Sequence, residues 1–108
     1  MFSIIIPTLN NLDYLKVCLN SLKKNSTFNN EIIVHVNIGS DGTKKFLKEK
    51  DILYTFSENN LGLCKAVNLA AQKASTDYIL YSHDDFYFCP KWDEVLYKEM
   101  KSINHKRF

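Results

Sequence analysis

His83-Asp84-Asp85 follows directly on the apolar run Tyr78-Ile79-Leu80-Tyr81 and its Ser82. Adjacent carboxylates repel unless a cation or a set of strong donors lies beside them. A hard divalent ion, Mg2+ or Mn2+, takes one or two protein carboxylates and completes its shell with substrate phosphate oxygens. Such an ion neutralises charge on a diphosphate leaving group. The competing explanation is a solvated acid pair in a surface loop, a common arrangement. Position argues for the cation, because an apolar strand that ends in acids places them at a partly buried rim. His83 reads as a third ligand or phosphate donor, or else as an imidazole bonded to backbone.

Other polar clusters also end apolar runs. Pro7-Thr8-Leu9-Asn10 is a strand-to-helix turn with an asparagine placed to cap, and Thr8 and Asn10 are of a type that contacts a base or ribose. Asn37 closes the run from Glu31. Its carboxamide both accepts and donates, so it suits a pyrimidine edge, or it simply ends the strand. Ser40-Asp41-Gly42-Thr43 is a turn and a helix start. The sequence contains neither GxGxxG nor GxxxxGK[ST], which argues against a Rossmann dinucleotide site and a P-loop. Lys65 falls on the first turn of a helix, facing a phosphate or only solvent.

The elements that must hold these residues alternate. Strands are expected at 2–6, ended by Pro7, and at 31–37, 52–56 and 77–81. Helices are expected at 12–24, where Leu12, Leu15, Cys18, Leu19 and Leu22 recur at helical spacing, at 43–50, at 62–75 and from just after Pro90. Asn10 or Asn11 is available to cap the first helix. Continuous apolar strands separated by helices predict a parallel sheet covered on both faces, a three-layer α/β/α arrangement. In such sheets ligands bind beyond the carboxyl ends of the strands. A strand order of 3-2-1-4 would make the Pro7–Asn11 turn and His83–Asp85 neighbours.

Composition bounds the function. At 108 residues the chain is one domain, with 45% apolar and 24% charged residues, as expected for a soluble fold. The net charge of +2 comes without a Lys/Arg stripe, so no nucleic-acid partner is expected. The basic end, residues 101–108, reads as a solvated terminus. No apolar run approaches the ~20 residues of a membrane span, and Phe2–Ile6 is too short for a signal peptide. A cytoplasmic chain, at most peripheral to a membrane, is expected. Cys18, Cys64 and Cys89 form no CxxC pair, so zinc is not expected, and Cys18 and Cys64 are placed on buried helix faces.

Taken in order, these stretches resemble the family 2 glycosyltransferases of the GT-A fold. "SIIIPTLNNLDYLKVCLNSLKKNS" is similar to that family's first strand, P-T-x-N turn and first helix. "EIIVHVNIGSDGT" is similar to E-I-I-V-V-D-D-G-S-x-D-G-T. "ENNLGLCKAVNLAAQKASTDYILYSHDDF" is similar to N-x-G-x-x-x-A-x-N-x-A and the strand that leads to a D-x-D metal motif. "CPKWDEVL" resembles the helix start that follows. Each motif is weak alone, but their order and spacing are specific and cover essentially the whole chain.

The resemblance implies a UDP- or dTDP-linked nucleotide-diphospho-sugar donor, a hydroxyl acceptor such as a glycan in polysaccharide biosynthesis, and Mn2+ or Mg2+. It places Pro7, Thr8 and Asn10 at the nucleoside and Asn37 at the base. Ser40, Asp41 and Lys65 fall on the donor side, Asp84 lies near ribose and diphosphate, and Asp85 is the metal ligand, with His83 as a second candidate. Asn37-Ile38 stands where the family usually has Asp-Asp. The family's catalytic domains are roughly twice this long, so the chain is expected to be a truncated, donor-binding N-terminal portion, 1–108. The acceptor site and general base are then expected elsewhere, in further sequence or in a partner chain. Two other readings compete. One is a silent nucleotide-binding or interaction module that self-associates through an exposed acceptor-side surface. The other is a receiver-like regulator, disfavoured because the first strand ends in no carboxylate.

Overall fold

The computed structural model describes residues 1–103, so the last five residues of the basic terminus lie outside the described residues. Eight elements alternate: β1 (Phe2–Leu9), α1 (Leu12–Asn25), β2 (Glu31–Asn37), α2 (Thr43–Glu49), β3 (Leu53–Ser57), α3 (Leu63–Ala71), β4 (Tyr78–Tyr81) and α4 (Trp92–Ser102). The strands are parallel in the order β3-β2-β1-β4, as expected from the alternation. Ile4 pairs with Ile32 on one side and Leu80 on the other, so β1 is central and fully buried there.

Alternation along β1 assigns its two faces. Phe2, Ile4 and Ile6 pack with Leu15, Cys18, Leu19 and Leu22 of α1, Leu47 of α2 and the apolar side of α4. Ile5 and Ile33 face the other way, against Ala70 of α3. Burying an aliphatic side chain of this size contributes about 1.5–3 kcal/mol, and α3 presents alanines there because small side chains let a helix lie close to the sheet.

β1 runs on through Pro7 to Leu9, past the expected end. The physical reason is the neighbouring strand. β4 pairs with β1 only as far as Ile5↔Tyr81, with the Ser82 N–H donating to the Ile5 carbonyl, so Pro7's missing N–H falls where β4 has already left. Pairing to β2 continues through Pro7↔His35 to Leu9↔Asn37. α3 is shorter than the expected 62–75. Past Ala71 the bonds tighten to Lys73 N–H on the Ala70 carbonyl and Ala74 N–H on the Ala71 carbonyl. Ser75 then turns away to give its N–H and hydroxyl to Glu31, at 2.9 and 2.7 Å.

The last helix is tied down by a buried acid at its start. Asp93 accepts from the N–H groups of Thr27 and Phe28 and from the Asn30 amide, all at 2.8–3.0 Å. Burial works against its charge, but these donors outweigh burial and hold the carboxyl below the usual carboxylate range.

Candidate functional site

Parallel strands put all four carboxyl ends on one side, so the loops after β1, β2, β3 and β4 share a rim. The Ser82 bond to β1 extends the ladder one residue beyond β4, and a turn closed by the Phe86 N–H on the His83 carbonyl folds the acids back over β1. There the buried Thr8 hydroxyl donates to Asp84 Oδ2 at 2.8 Å. The two loops expected to be neighbours therefore meet through a named bond.

Asp84 is half-buried and Asp85 exposed. Among the described residues the one salt bridge is Lys98–Glu94, within α4, so no protein cation lies at salt-bridge distance from the doublet. Its field reaches its neighbours. Burial first, and then the charge of Asp84, push the Cys18 thiol up to about 11. The same two causes raise the Tyr81 phenol above its ordinary value.

A cleft of about 260 Å³ opens beside this pair, lined by Pro7, Thr8, Asn37 and Asp84 of the expected residues. Leu9, Asn11, Asn60, Gly62 and Leu63 line it too; Leu9, Asn11 and Asn60 belong to strand-end turns expected on this rim, whereas Gly62 and Leu63 were not expected. Asn60 lay in a loop already placed on this rim; its Oδ1 accepts the Gly62 N–H at 3.0 Å, the short-range bond of an asparagine turn. Leu63 continues the apolar stripe of α3 but lies beyond the edge of the sheet, which leaves it 53% exposed over the cleft. Cys64 beside it is exposed, contrary to expectation, because the buried stripe of α3 is Ala66 and Ala70.

Other expected residues stand apart from the cleft lining. Asn10 is exposed in the left-handed region, φ 45°, at the bend into α1. Neither Asn10 nor Asn11 caps α1 with its side chain. Asp41 takes that role from across the rim: Oδ2 accepts the Leu12 N–H at 3.0 Å, while Oδ1 accepts the Thr43 hydroxyl and N–H. Burial opposes its charge, and these bonds more than offset it, so its carboxyl sits below the ordinary range. Ser40 and Lys65 are exposed. The His83 ring packs between Tyr81 and Phe86, at centroid distances of 5.1 and 5.0 Å, with the Tyr81 hydroxyl 3.3–3.4 Å from its nitrogens.

Beneath the cleft lies a polar ladder that was not expected. His35 is fully buried on the α3 side of β2, two residues before Asn37 and therefore on the same face. Its ring bridges Thr55 Oγ1 and Ser57 Oγ at 2.6 and 3.0 Å, and Ser57 reaches Asn37 Oδ1 at 3.2 Å. The available signal was a histidine inside an otherwise apolar strand.

Among the described residues no three His, Cys, Asp or Glu side chains converge as a ready-made metal cage. One or two carboxylates without a cationic partner still fit a hard cation that draws its other ligands from a phosphate. A larger groove of about 780 Å³ runs beside α1 and the starts of β2 and β3. Its lining has lysines but no acid or histidine, and it reaches the loop after β4 only at Tyr87.

The comparisons with known proteins agree with this architecture. Glycosyltransferase GlyA of Streptococcus pneumoniae is 33% identical over 104 residues, covering 91% of this chain and 15% of its own length. Residues 1–349 of S. aureus TarS superpose with a TM-score of 0.82 at 22% identity, covering 99% of this chain and 37% of that one. That part of TarS has been solved with UDP and with UDP-GlcNAc. Mannosyltransferase PcManGT from Pyrobaculum calidifontis, solved with GDP-Man and Mn2+, superposes at 0.70 with 20% identity, covering 87% of this chain and 30% of that one. At these identities the solved structures show the shared fold, GT-A, and this chain spans well under half of each relative. The family model for glycosyl transferase family 2 matches residues 3–106, nearly the full length. The chain belongs to glycosyl transferase family 2.

Proposed function

We propose that residues 1–108 form the donor-binding portion of an inverting glycosyltransferase that uses a nucleotide-diphospho-sugar. The observation that carries this is the Thr8–Asp84 bond, which fixes one half of an acidic doublet at the rim of the cleft. The complexes of TarS with UDP and UDP-GlcNAc support a uridine donor as the first to try.

In this function Pro7 and Thr8 border the nucleoside, Asn37 meets the base, and Asp84 lies toward ribose and diphosphate. Asp85 holds the Mn2+ or Mg2+, with His83 near it. The Mn2+ complex of PcManGT supports a divalent ion, whose contribution is to neutralise charge on the diphosphate. An acceptor hydroxyl, on a glycan or another alcohol, attacks the anomeric carbon in line. The new C–O bond forms as the bond to the diphosphate breaks, and the hydroxyl proton passes to a base outside these residues. Turnover then needs further sequence or a partner chain. A cytoplasmic place, at most peripheral to a membrane, goes with such a donor; among the described residues no helix is long and apolar enough to cross a membrane.

Calorimetric titration with UDP, with and without Mn2+, tests this. Binding is expected with Mn2+, weakened at least about tenfold without it and in Asp85→Asn, as for a lost charge-assisted contact. No heat of binding in either condition contradicts it. A second reading, a silent interaction module, is favoured by the uncovered side of β4, where Ile79 is 54% exposed. Donor hydrolysis by a monomer would exclude that second reading.

A further inference from the structure

The two acids of the proposed site differ in what holds them. Asp84 is fixed by the Thr8 hydroxyl, whereas Asp85 is exposed. An exposed side chain on a loop goes where its backbone is put. One fixed point of that backbone is the Ser82 N–H on the Ile5 carbonyl of β1. The other is Phe88, three positions after Asp85, and what fixes it is α1.

Ser21 and Asn25 stand one turn apart on α1. Both are buried, 2% and 9% exposed, on the side that carries Leu15, Cys18 and Leu22. Polar side chains in such a stripe need partners, because a buried polar group left unpaired is costly. The Ser21 hydroxyl gives its one proton to the Cys18 carbonyl, a turn back, at 2.7 Å. Its lone pairs are left to accept, and they take the Phe88 N–H at 2.9 Å. The Asn25 amide donates to the Phe88 carbonyl at 2.7 Å, and the Asn25 main-chain carbonyl accepts the Lys91 N–H at 3.0 Å. Both backbone groups of Phe88 thus end on two side chains of one helix. Cys18, from the same stripe, brings its Sγ to 3.8 Å from the His83 carbonyl at the start of the loop. The clamp is not what docks α4, which Asp93 already fastens to Thr27 and Phe28. What it fixes is the span 83–87, which carries the doublet.

We infer that Ser21 and Asn25 are positioning residues for the cation site: by clamping Phe88 to α1 they set the backbone that aims Asp85. This rests on the placement of the metal at Asp85 proposed above. Neither side chain lines the cleft, so each acts on a nucleotide only through the loop.

The test is titration with UDP, with and without Mn2+, of the wild-type chain, Ser21→Ala, Asn25→Ala and Ser21→Thr, each beside a thermal melt. In both alanine variants the affinity in Mn2+ is expected to fall about tenfold, as for one lost bond, while the affinity without Mn2+ stays within about twofold. Ser21→Thr keeps a hydroxyl that can make the same back-bond, and is expected to restore the gain from Mn2+. A clamp that served stability alone would lower the melting temperature and leave the ratio of the two affinities at its wild-type value. That result overturns the inference and leaves the metal site standing. The two alanine substitutions remove different bonds, so if one variant fails to fold the other decides. Failure of both to fold assigns the clamp to stability and overturns the inference too. A wild-type chain that gains nothing from Mn2+ overturns the metal placement and the inference together.

Discussion

Thr8 and Asp84 lie 76 positions apart in sequence and are joined by one hydrogen bond. A bond to a carboxylate is worth about 1.5–3 kcal/mol, enough to hold Asp84 in one orientation at the rim. Thr8→Val keeps the shape and removes the donor. It is expected to lower UDP affinity in Mn2+ about tenfold while the chain stays folded, measured by titration beside a thermal melt. Unchanged affinity would make the bond purely structural. That Pro7, Thr8, Asn37 and Asp84 share one cleft was readable in the sequence because each ends an apolar run, and the ends of parallel strands share a rim. The ladder from His35 to Asn37 was not, since it depends on the β2–β3 register that sets Thr55 and Ser57 beside His35. Nor was the cap that Asp41 supplies to α1 from 29 residues away, which no local capping rule describes.

The elements themselves were readable from their periods, four strands alternating with four helices. Their ends were set by partners. β1 outruns Pro7 because β4 stops first, and α3 ends early because Ser75 is drawn to Glu31. α4 shows the same dependence on partners, as its first turn is fastened to the loop after α1 by Asp93. Replacing Asp93 with alanine takes the acceptor from the N–H groups of exposed Thr27 and half-buried Phe28 and from the Asn30 amide at once. A loss of about 3 kcal/mol or more is expected in urea unfolding. A loss below about 1 kcal/mol would mean that water replaces the carboxylate and that Asp93 is no anchor.

Over the whole molecule, one face is complete and the other is not. α1, α2 and α4 cover the side of Phe2, Ile4 and Ile6, whereas α3 packs over β1, β2 and β3. The sequence, with its continuous apolar strands, led to the expectation of cover on both faces. On β4 that fails: Ile79 and Tyr81, paired with Ser3 and Ile5 on the α3 side, are 54% and 36% exposed. Among the described residues β4 is also an edge strand, paired with β1 alone. An apolar edge of this kind is expected to drive concentration-dependent association of the 108-residue chain in sedimentation velocity, abolished by Ile79→Lys. A monomer at every concentration would show that the edge is covered or inert. The function proposed here stands or falls with the acidic doublet. A crystal of the chain soaked with Mn2+ and UDP is expected to show an anomalous peak against Asp85, with the diphosphate beside Asp84. A doublet turned to solvent without metal, or a nucleotide bound away from the carboxyl ends of β1 and β4, would contradict it.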